Sequence, residues 1–241
     1  FPGGYDAVAA FLARGLDIRL GAVVDAVSIA GKGATVRLSG GQSLAVDHVV
    51  VTVPLGVLKA GGIAFEPKLP AGHREAIERL GFGVLEKTCL RFDKPFWPRD
   101  VDWIEFVAGR RGEWTEWLSV TRATGAPLLV GFQGGAAARA LASLDDRAIV
   151  DAALAALRAM FGADVPPPSG AVVTRWAADP FARGAYSFNA MGSDGSTRQA
   201  LAQPVEGRLF LAGEAISARH FATTHGAYLS GLAAADAILA A

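Results

Sequence analysis

Leu209-Phe210-Leu211-Ala212-Gly213-Glu214 leads into a loop, and His225-Gly226-Ala227-Tyr228-Leu229-Ser230-Gly231 follows. Three apolar residues stopped by Ala-Gly-Glu read as a short buried strand ending at a glycine. The Ala-rich segment over residues 223–241 reads as a helix. Such a helix aims its first backbone N–H groups at whatever lies beyond the strand's end and favours negative charge there. A glycine lets a ligand approach the backbone, and Glu214 can accept a hydrogen bond from a sugar-type hydroxyl. The unit suits a dinucleotide site, and equally a purely structural strand–turn–helix.

Outward from this stretch, His48-Val49-Val50-Val51-Thr52-Val53 is a continuous β-branched run closed by Pro54. A run apolar on both faces suits a buried strand of an α/β sheet, and proline cannot continue a central strand. These two runs and the final helix are expected to meet in one domain. The residues before them read as a short helix (5–13), a β run at 17–20, and two strands (23–29 and 34–38) joined at Gly31-Lys32-Gly33.

The middle of the chain has a different texture. A helix is expected at 69–80, broken by Gly81-Phe82-Gly83. A strand over 84–92 places Leu85, Lys87, Cys89 and Arg91 on one face. Strand-like runs follow at 103–107, 114–120 and 128–132. A helix over 143–161 has Ser143 and Asp146 at capping-box spacing and Ile149, Ala153, Leu157, Met160 and Phe161 on one stripe. Pro166-Pro167-Pro168 reads as a linker before a strand at 172–176. The fold class expected is α/β (α+β). Residues 1–54 and 170–241 form a partial Rossmann-like domain. Residues 55–169 form an inserted domain of antiparallel or mixed sheet with helices.

Composition narrows the functional classes. Of 241 residues 51% are hydrophobic and 19% charged, which is too apolar for a disordered chain. Twenty-three Lys+Arg against 23 Asp+Glu leave no net charge, so nothing global argues for nucleic acid or an anionic membrane. The single Cys89 excludes an internal disulfide and a cysteine metal cluster, and the four histidines lack metal-ligand spacing. No apolar run reaches the ~18 residues of a membrane helix. A cytoplasmic, soluble protein is the expectation. The motifs G-x-x-x-x-G-K-[ST], G-x-G-x-x-G and G-x-S-x-G are absent.

Five segments then carry a resemblance. They are residues 15–20 (GLDIRL), 51–58 (VTVPLGVL) and 81–87 (GFGVLEK), then 175–180 with 183–187 (RWAADP, RGAYS), and finally 212–214 with 225–231 (AGE, HGAYLSG). In this order the chain resembles the flavin amine oxidase family, which includes polyamine and monoamine oxidases and lysine-specific histone demethylases. The polyamine oxidase and demethylase branches are the most similar. Members open with a G-x-G-x-x-G that holds the FAD pyrophosphate. Its absence implies that this chain is the C-terminal half of such an enzyme. The half alone is then expected to hold FAD weakly or not at all, and to need a partner carrying the missing half or to self-associate.

The resemblance implies roles by position. Lys87 matches the lysine that hydrogen-bonds a water at flavin N5; a snorkelling surface lysine is the plain alternative. Trp176 matches the tryptophan beside the flavin ring, or is a core aromatic. Tyr186 matches an aromatic wall of the amine pocket, and Phe181 packs near the flavin or the entrance. Thr223 stands where some amine oxidases have a caging tyrosine, implying a wider pocket. Gly213, Glu214, Thr223 and Thr224 match the ribityl and ring contacts, Val24 a backbone contact to adenine, and Thr52 and Pro54 the cofactor groove. Ala185 stands where monoamine oxidases carry the cysteine bonded to flavin, so FAD is expected to be non-covalent. His225 is read as a ligand contact or a structural helix residue. The activity implied is oxidation of an amine to an imine with release of hydrogen peroxide. An L-amino-acid oxidase and a non-catalytic, partner-binding remnant are the alternatives.

Overall fold

Residues 4–107, 109 and 112–240 are described by the structure, a computed structural model. In chain order the elements begin with α1 (Asp6–Leu12), β1 (Val24–Ala30), β2 (Gly33–Leu38), β3 (Ser43–Val46), β4 (Val49–Val51), α2 (Leu55–Lys59), β5 (Ala64–Glu66) and α3 (Ala71–Arg79). Next come β6 (Gly81–Phe82), β7 (Leu85–Arg91), β8 (Trp103–Glu105), β9 (Glu116–Ser119), α4 (Thr121–Thr124), β10 (Leu128–Gly134), α5 (Gly135–Leu141) and α6 (Asp146–Phe161). The last are β11 (Gly170–Val173), β12 (Ser187–Phe188), α7 (Gly195–Leu201), β13 (Leu209–Leu211), a 3₁₀ turn over Glu214–Ile216, and α8 (Thr224–Leu239).

They gather into two compact units of mixed α/β structure. One holds the residues up to Arg19 and Val84–Trp176; the other holds Leu20–Gly83 and the chain from Ala177 onward. The crossings expected after residues 54 and 169 therefore fall elsewhere, after Gly83 and after Trp176. Packing is the reason. Pro54 does end β4, but Leu55, Ile63, Leu69, Ala76 and Leu80 bury themselves in the same cluster as Val51 and Leu211. Residues 55–83 thus stay with the strands they follow. At the other crossing β11 pairs with β7, which keeps residues 170–173 in the sheet despite the three prolines before them.

The unit containing Val84–Trp176 is built on a five-stranded sheet in the order β11-β7-β10-β9-β8, each strand antiparallel to its neighbours. One face of it carries Leu90, Trp117 and Leu129, packed with Ile149, Ala153, Leu154 and Leu157 of α6. Gly131 makes room in this core, because a Cβ there would press on the Trp114 and Trp117 rings at 2.7 to 3.0 Å. Helix α6 starts later than the capping-box reading places it. Its N-cap is Asp145, whose carboxylate accepts from the Ala148 amide at 2.8 Å. Ser143 is two residues too early, and Asp146 instead meets Arg175 at 2.6 Å.

The other unit has a four-stranded sheet in the order β3-β2-β1-β5, with β1 and β5 parallel. A separate parallel pair joins β4 to β13, with Val51 opposite Leu211. Phe210 and Ala212 pack on Ala234 of α8, so the β-branched run, the 209–211 strand and the final helix meet as expected. Strand β4 is buried through Val49 and Val51 while Val50 is exposed. Residues 17–20 form no strand: Leu20 is 91% exposed and the segment has no pairing partner among the described residues. Short side-chain ties fix this unit. Lys59 Nζ donates to the carbonyls of Ile77, Glu78 and Leu80 at 2.6 to 2.8 Å, placing a cation at a helix C-terminus. Burial lowers its pKa, with Glu78 pulling the other way. Asp194 caps α7 in a reciprocal capping box with Thr197.

That cap has a pH signature. Hydrogen bonds from the Ser196 hydroxyl and then the Thr197 and Ser196 amides hold Asp194 below the ordinary carboxylate range. A depressed folded-state pKa stabilises above the unfolded value of about 3.9 and is lost as pH falls through the folded one. Protection of the Ser196 and Thr197 amides, taken relative to their intrinsic exchange rates at each pH, is expected to fall on acidification below about pH 4, and Asp194→Ala to lose the same protection at neutral pH. Equal exchange in mutant and parent would show that the cap contributes nothing. Among the described residues no helix is long and apolar enough to cross a membrane.

Candidate active site

In the unit built on β4 and β13 the two parallel strands end side by side, and the chain leaves each through residues singled out in the sequence. Thr52 and Pro54 follow β4; Gly213 and Glu214 follow β13. These four line one cavity of about 210 Å³, with Val51, Leu55, Phe82, Ala185, Leu211 and Ala227 among its walls. The position after parallel strands is where open α/β sheets hold their ligands.

Backbone and hydrogen bonds set the geometry. Gly213 has φ 140°, a conformation that L side chains rarely adopt, so glycine is required there. Its N–H donates to Ser230 Oγ at 2.8 Å, tying the end of β13 to α8. Glu214 is held by three donors: the Ser187 amide at 2.9 Å on Oε1, and the Ser187 hydroxyl at 2.7 Å and the Ala222 amide at 2.6 Å on Oε2. A carboxylate has about four acceptor positions, so one on Oε1 is left for a hydroxyl of a ligand. A glycine turn and a fixed carboxylate acceptor with one open position fit a hydroxyl-bearing ligand.

Ser187 is positioned by β12, which pairs with β6 through Ser187 and Phe82. This gives a structural role to the Gly81-Phe82-Gly83 segment, which the sequence presents as a helix breaker and as part of the 81–87 resemblance. Phe82 sits against Gly56 and Gly184, where a Cβ would approach its ring to 2.7 Å and 2.6 Å. Gly83 exchanges backbone hydrogen bonds with Ala185 and Tyr186, each 2.8 Å. Tyr186 is half-exposed and Phe181 exposed, the latter on a turn whose amide donates to Asp179 at 2.7 Å.

The remaining candidates of this unit lie outside the cavity. Thr223 is the N-cap of α8: its hydroxyl accepts from the Gly226 amide and donates to the His220 carbonyl at 2.6 Å. Thr224 is the exposed first residue of that helix. Val24 begins β1, opposite Leu38, and packs against the main core. The ring of His225 lies 4.9 Å from that of His220, both exposed.

In the unit built on Val84–Trp176, Lys87 and Trp176 share a frame that the sequence did not reveal. Thr174 Oγ1 accepts from the Lys87 amide at 2.8 Å and donates to Glu86 Oε2 at 2.7 Å; the same carboxylate oxygen accepts from the Trp176 amide at 3.0 Å. Lys87 lies on the sheet face opposite the Leu90 core. Its Nζ is 5.8 Å from the Phe132 ring centroid, within reach of a cation–π contact. Burial pushes the Cys89 thiol up, opposed by Lys87. Among the described residues no group of histidine, cysteine and carboxylate side chains could hold a metal ion.

Comparison with known proteins gives these sites a context. The chain is 40% identical over 233 residues to "Polyamine oxidase 4" of Oryza sativa subsp. japonica, covering 97% of this chain and 47% of that protein. It is 42% identical over 236 residues to "Lysine-specific histone demethylase 1 homolog 1" of the same plant, covering 95% of this chain and 28% of that one. The chain thus spans half or less of the length of these relatives. Its fold is that of a putrescine oxidase solved with putrescine bound, at TM-score 0.84 and 24% identity over 99% of this chain and 53% of that one. The family described as "Flavin containing amine oxidoreductase" matches residues 1–239. The chain belongs to the flavin-containing amine oxidoreductase family.

Proposed function

We propose that the protein carrying this chain oxidises an amine at a C–N bond with non-covalently held FAD. The observation that carries this reading is the convergence of Thr52, Pro54, Gly213 and Glu214 on one cavity, in a chain whose family match runs over residues 1–239. The chemistry FAD supplies when bound is a two-electron acceptor: hydride leaves the carbon beside the amine nitrogen, the imine is hydrolysed, and dioxygen is reduced to hydrogen peroxide. Glu214 would accept a hydrogen bond from a ribityl hydroxyl through the open position on Oε1. Ala185, which lines the cavity, offers no nucleophile, so no covalent link forms there.

The other roles follow the residue types. Lys87 would hold a water at its Nζ and move a proton there; the Glu86–Thr174 frame fixes its strand relative to Trp176, the aromatic that would flank a bound flavin. Phe181 and Tyr186 supply apolar surface for the amine. Only a neutral amine has the lone pair that drives hydride loss, and a poorly hydrated aromatic surface disfavours the ammonium form. Thr223 and Thr224 act through the start of α8, and Val24 through its backbone at the adenine end. The amine class is taken from the relatives, as a polyamine or an N-methylated lysine.

The test is peroxide release by the FAD-loaded protein with putrescine, a longer polyamine, an N-methyl-lysine peptide and a set of L-amino acids. One peroxide per amine consumed with any of the first three is expected. Turnover of the amino acids alone would move the protein to the amino-acid oxidases, and no turnover with any of them would leave a non-catalytic binding protein.

A further inference from the structure

Arg198, on α7, is the one arginine with no exposed surface among the described residues. Burying a guanidinium costs far more than burying an apolar side chain, unless its donors are satisfied. Its partners are Asn189 Oδ1 at 2.9 Å, the Ala215 carbonyl at 2.9 Å and Ser187 Oγ at 2.8 Å. The guanidinium carbon lies 4.0 Å from the centroid of the Phe221 ring, and Nη2 has no hydrogen-bond partner. A core position on a short helix would be filled more stably by a leucine or methionine, so this charge has a use other than packing.

The hydrogen bonds say what it holds. Ser187 Oγ accepts from Arg198 and so must point its own hydrogen elsewhere; it donates to Glu214 Oε2 at 2.7 Å. The Ala215 carbonyl, next in the chain after Glu214, is held by the same nitrogen of Arg198. Phe221, under the guanidinium, precedes Ala222, whose amide is the third donor to Glu214. Arg198 thus touches each of the three segments that orient the Glu214 carboxylate. We infer that Arg198 is a positioning residue for Glu214, acting through the Ser187 hydroxyl to keep the open position of Oε1 turned to the cavity and so to hold the flavin nucleotide there. This rests on the reading of that cavity as the flavin site. The electrostatics agree with the geometry: burial lowers the pKa of Arg198 while the Glu214 charge raises it.

The experiment is a double-mutant cycle in the protein carrying this chain, with FAD affinity as the first readout. Arg198→Met is expected to raise the FAD dissociation constant about tenfold when Glu214 is present, and to change it less than about twofold in a Glu214→Gln background. Arg198→Lys, which keeps one charged donor and the packing of the stem, is expected to fall between parent and Arg198→Met. An equal rise in both backgrounds would show that Arg198 acts without Glu214 and would overturn the inference.

Amide exchange without FAD separates this inference from the cavity reading. In Arg198→Lys, and in Arg198→Met if it folds, the Ser187 and Ala222 amides should exchange about tenfold faster relative to those of β13. Uniform acceleration would reduce Arg198 to a packing residue. If FAD affinity ignores Glu214→Gln while the two amides still respond selectively, the positioning role stands and the flavin reading of the cavity falls.

Discussion

Lys87→Met is expected to slow amine turnover by about 10²–10⁴-fold, the usual cost of losing a positioned proton-transfer group, with FAD still bound. Methionine keeps the unbranched stem and removes only the ammonium. Strand β7 is paired on both edges, by β10 and β11, and the Lys87 side chain lies on the face away from the buried core, so the sheet should tolerate the change. Its backbone bonds to Thr174 also survive, since they involve the main-chain N–H and C=O. The effect should therefore appear in turnover and hardly in melting temperature. Wild-type turnover in Lys87→Met would remove this residue from the catalytic assignment and leave it as a partly buried strand lysine near the Phe132 ring.

Gly226→Ala has the largest expected effect on stability. A Cβ at this position would overlap the carbonyl oxygen of His220. Both partners are constrained: Gly226 lies in the first turn of α8, and the His220 carbonyl accepts from the Thr223 hydroxyl that caps the helix. Relief requires the 217–223 loop to move off α8, which breaks the cap and displaces Ala222 from Glu214. Overpacking of this kind costs about 1–3 kcal/mol, and for a chain of this size each kcal/mol lowers the melting temperature by about 2–4 °C. A fall of roughly 2–12 °C by calorimetry is expected, together with weaker FAD binding. Gly231→Ala, on the same helix with open space around its Cβ position, is the control and should raise or preserve stability, alanine being the better helix former. Equal melting temperatures for Gly226→Ala and the parent would show that the loop is not fixed on the helix.

Legibility from sequence followed how local each feature is. The Leu209-Phe210-Leu211-Ala212-Gly213-Glu214 strand-turn could be read because a strand stop, a required glycine and a helix start lie close together. The β4–β13 pairing could be anticipated because a wholly β-branched run needs a buried neighbour. The 17–20 run shows the limit: alternation alone does not make a strand without a partner edge. Helix α6 was legible, but not its cap. Ser143 and Asp145 are both good N-cap residues, and the extended backbone at Asp145 decides between them. The domain crossings were misplaced because prolines mark where elements stop, whereas packing decides which core they join.

The site divides the same way. Thr52, Pro54, Gly213 and Glu214 could be found by motif, and they converge. The resemblance places Thr223 at the pocket and among the cofactor contacts but carries no hydrogen-bond direction; in the fold its hydroxyl is engaged within the helix cap. Ser187, Arg198 and Ala222 have no motif of their own. Their roles arise from side chains and amides that meet across 8 to 27 residues of chain, and Glu86 and Thr174 meet across 88. Only the folded strands bring them together.

Amine oxidation is tested by the flavin absorbance of the FAD-loaded protein, followed after anaerobic mixing with putrescine, a longer polyamine or an N-methyl-lysine peptide. At least one of these amines is expected to bleach the oxidised flavin spectrum, and air to restore it with release of peroxide. An oxidised spectrum unchanged by every amine, in protein that carries a full complement of flavin, would overturn the assignment of amine oxidation.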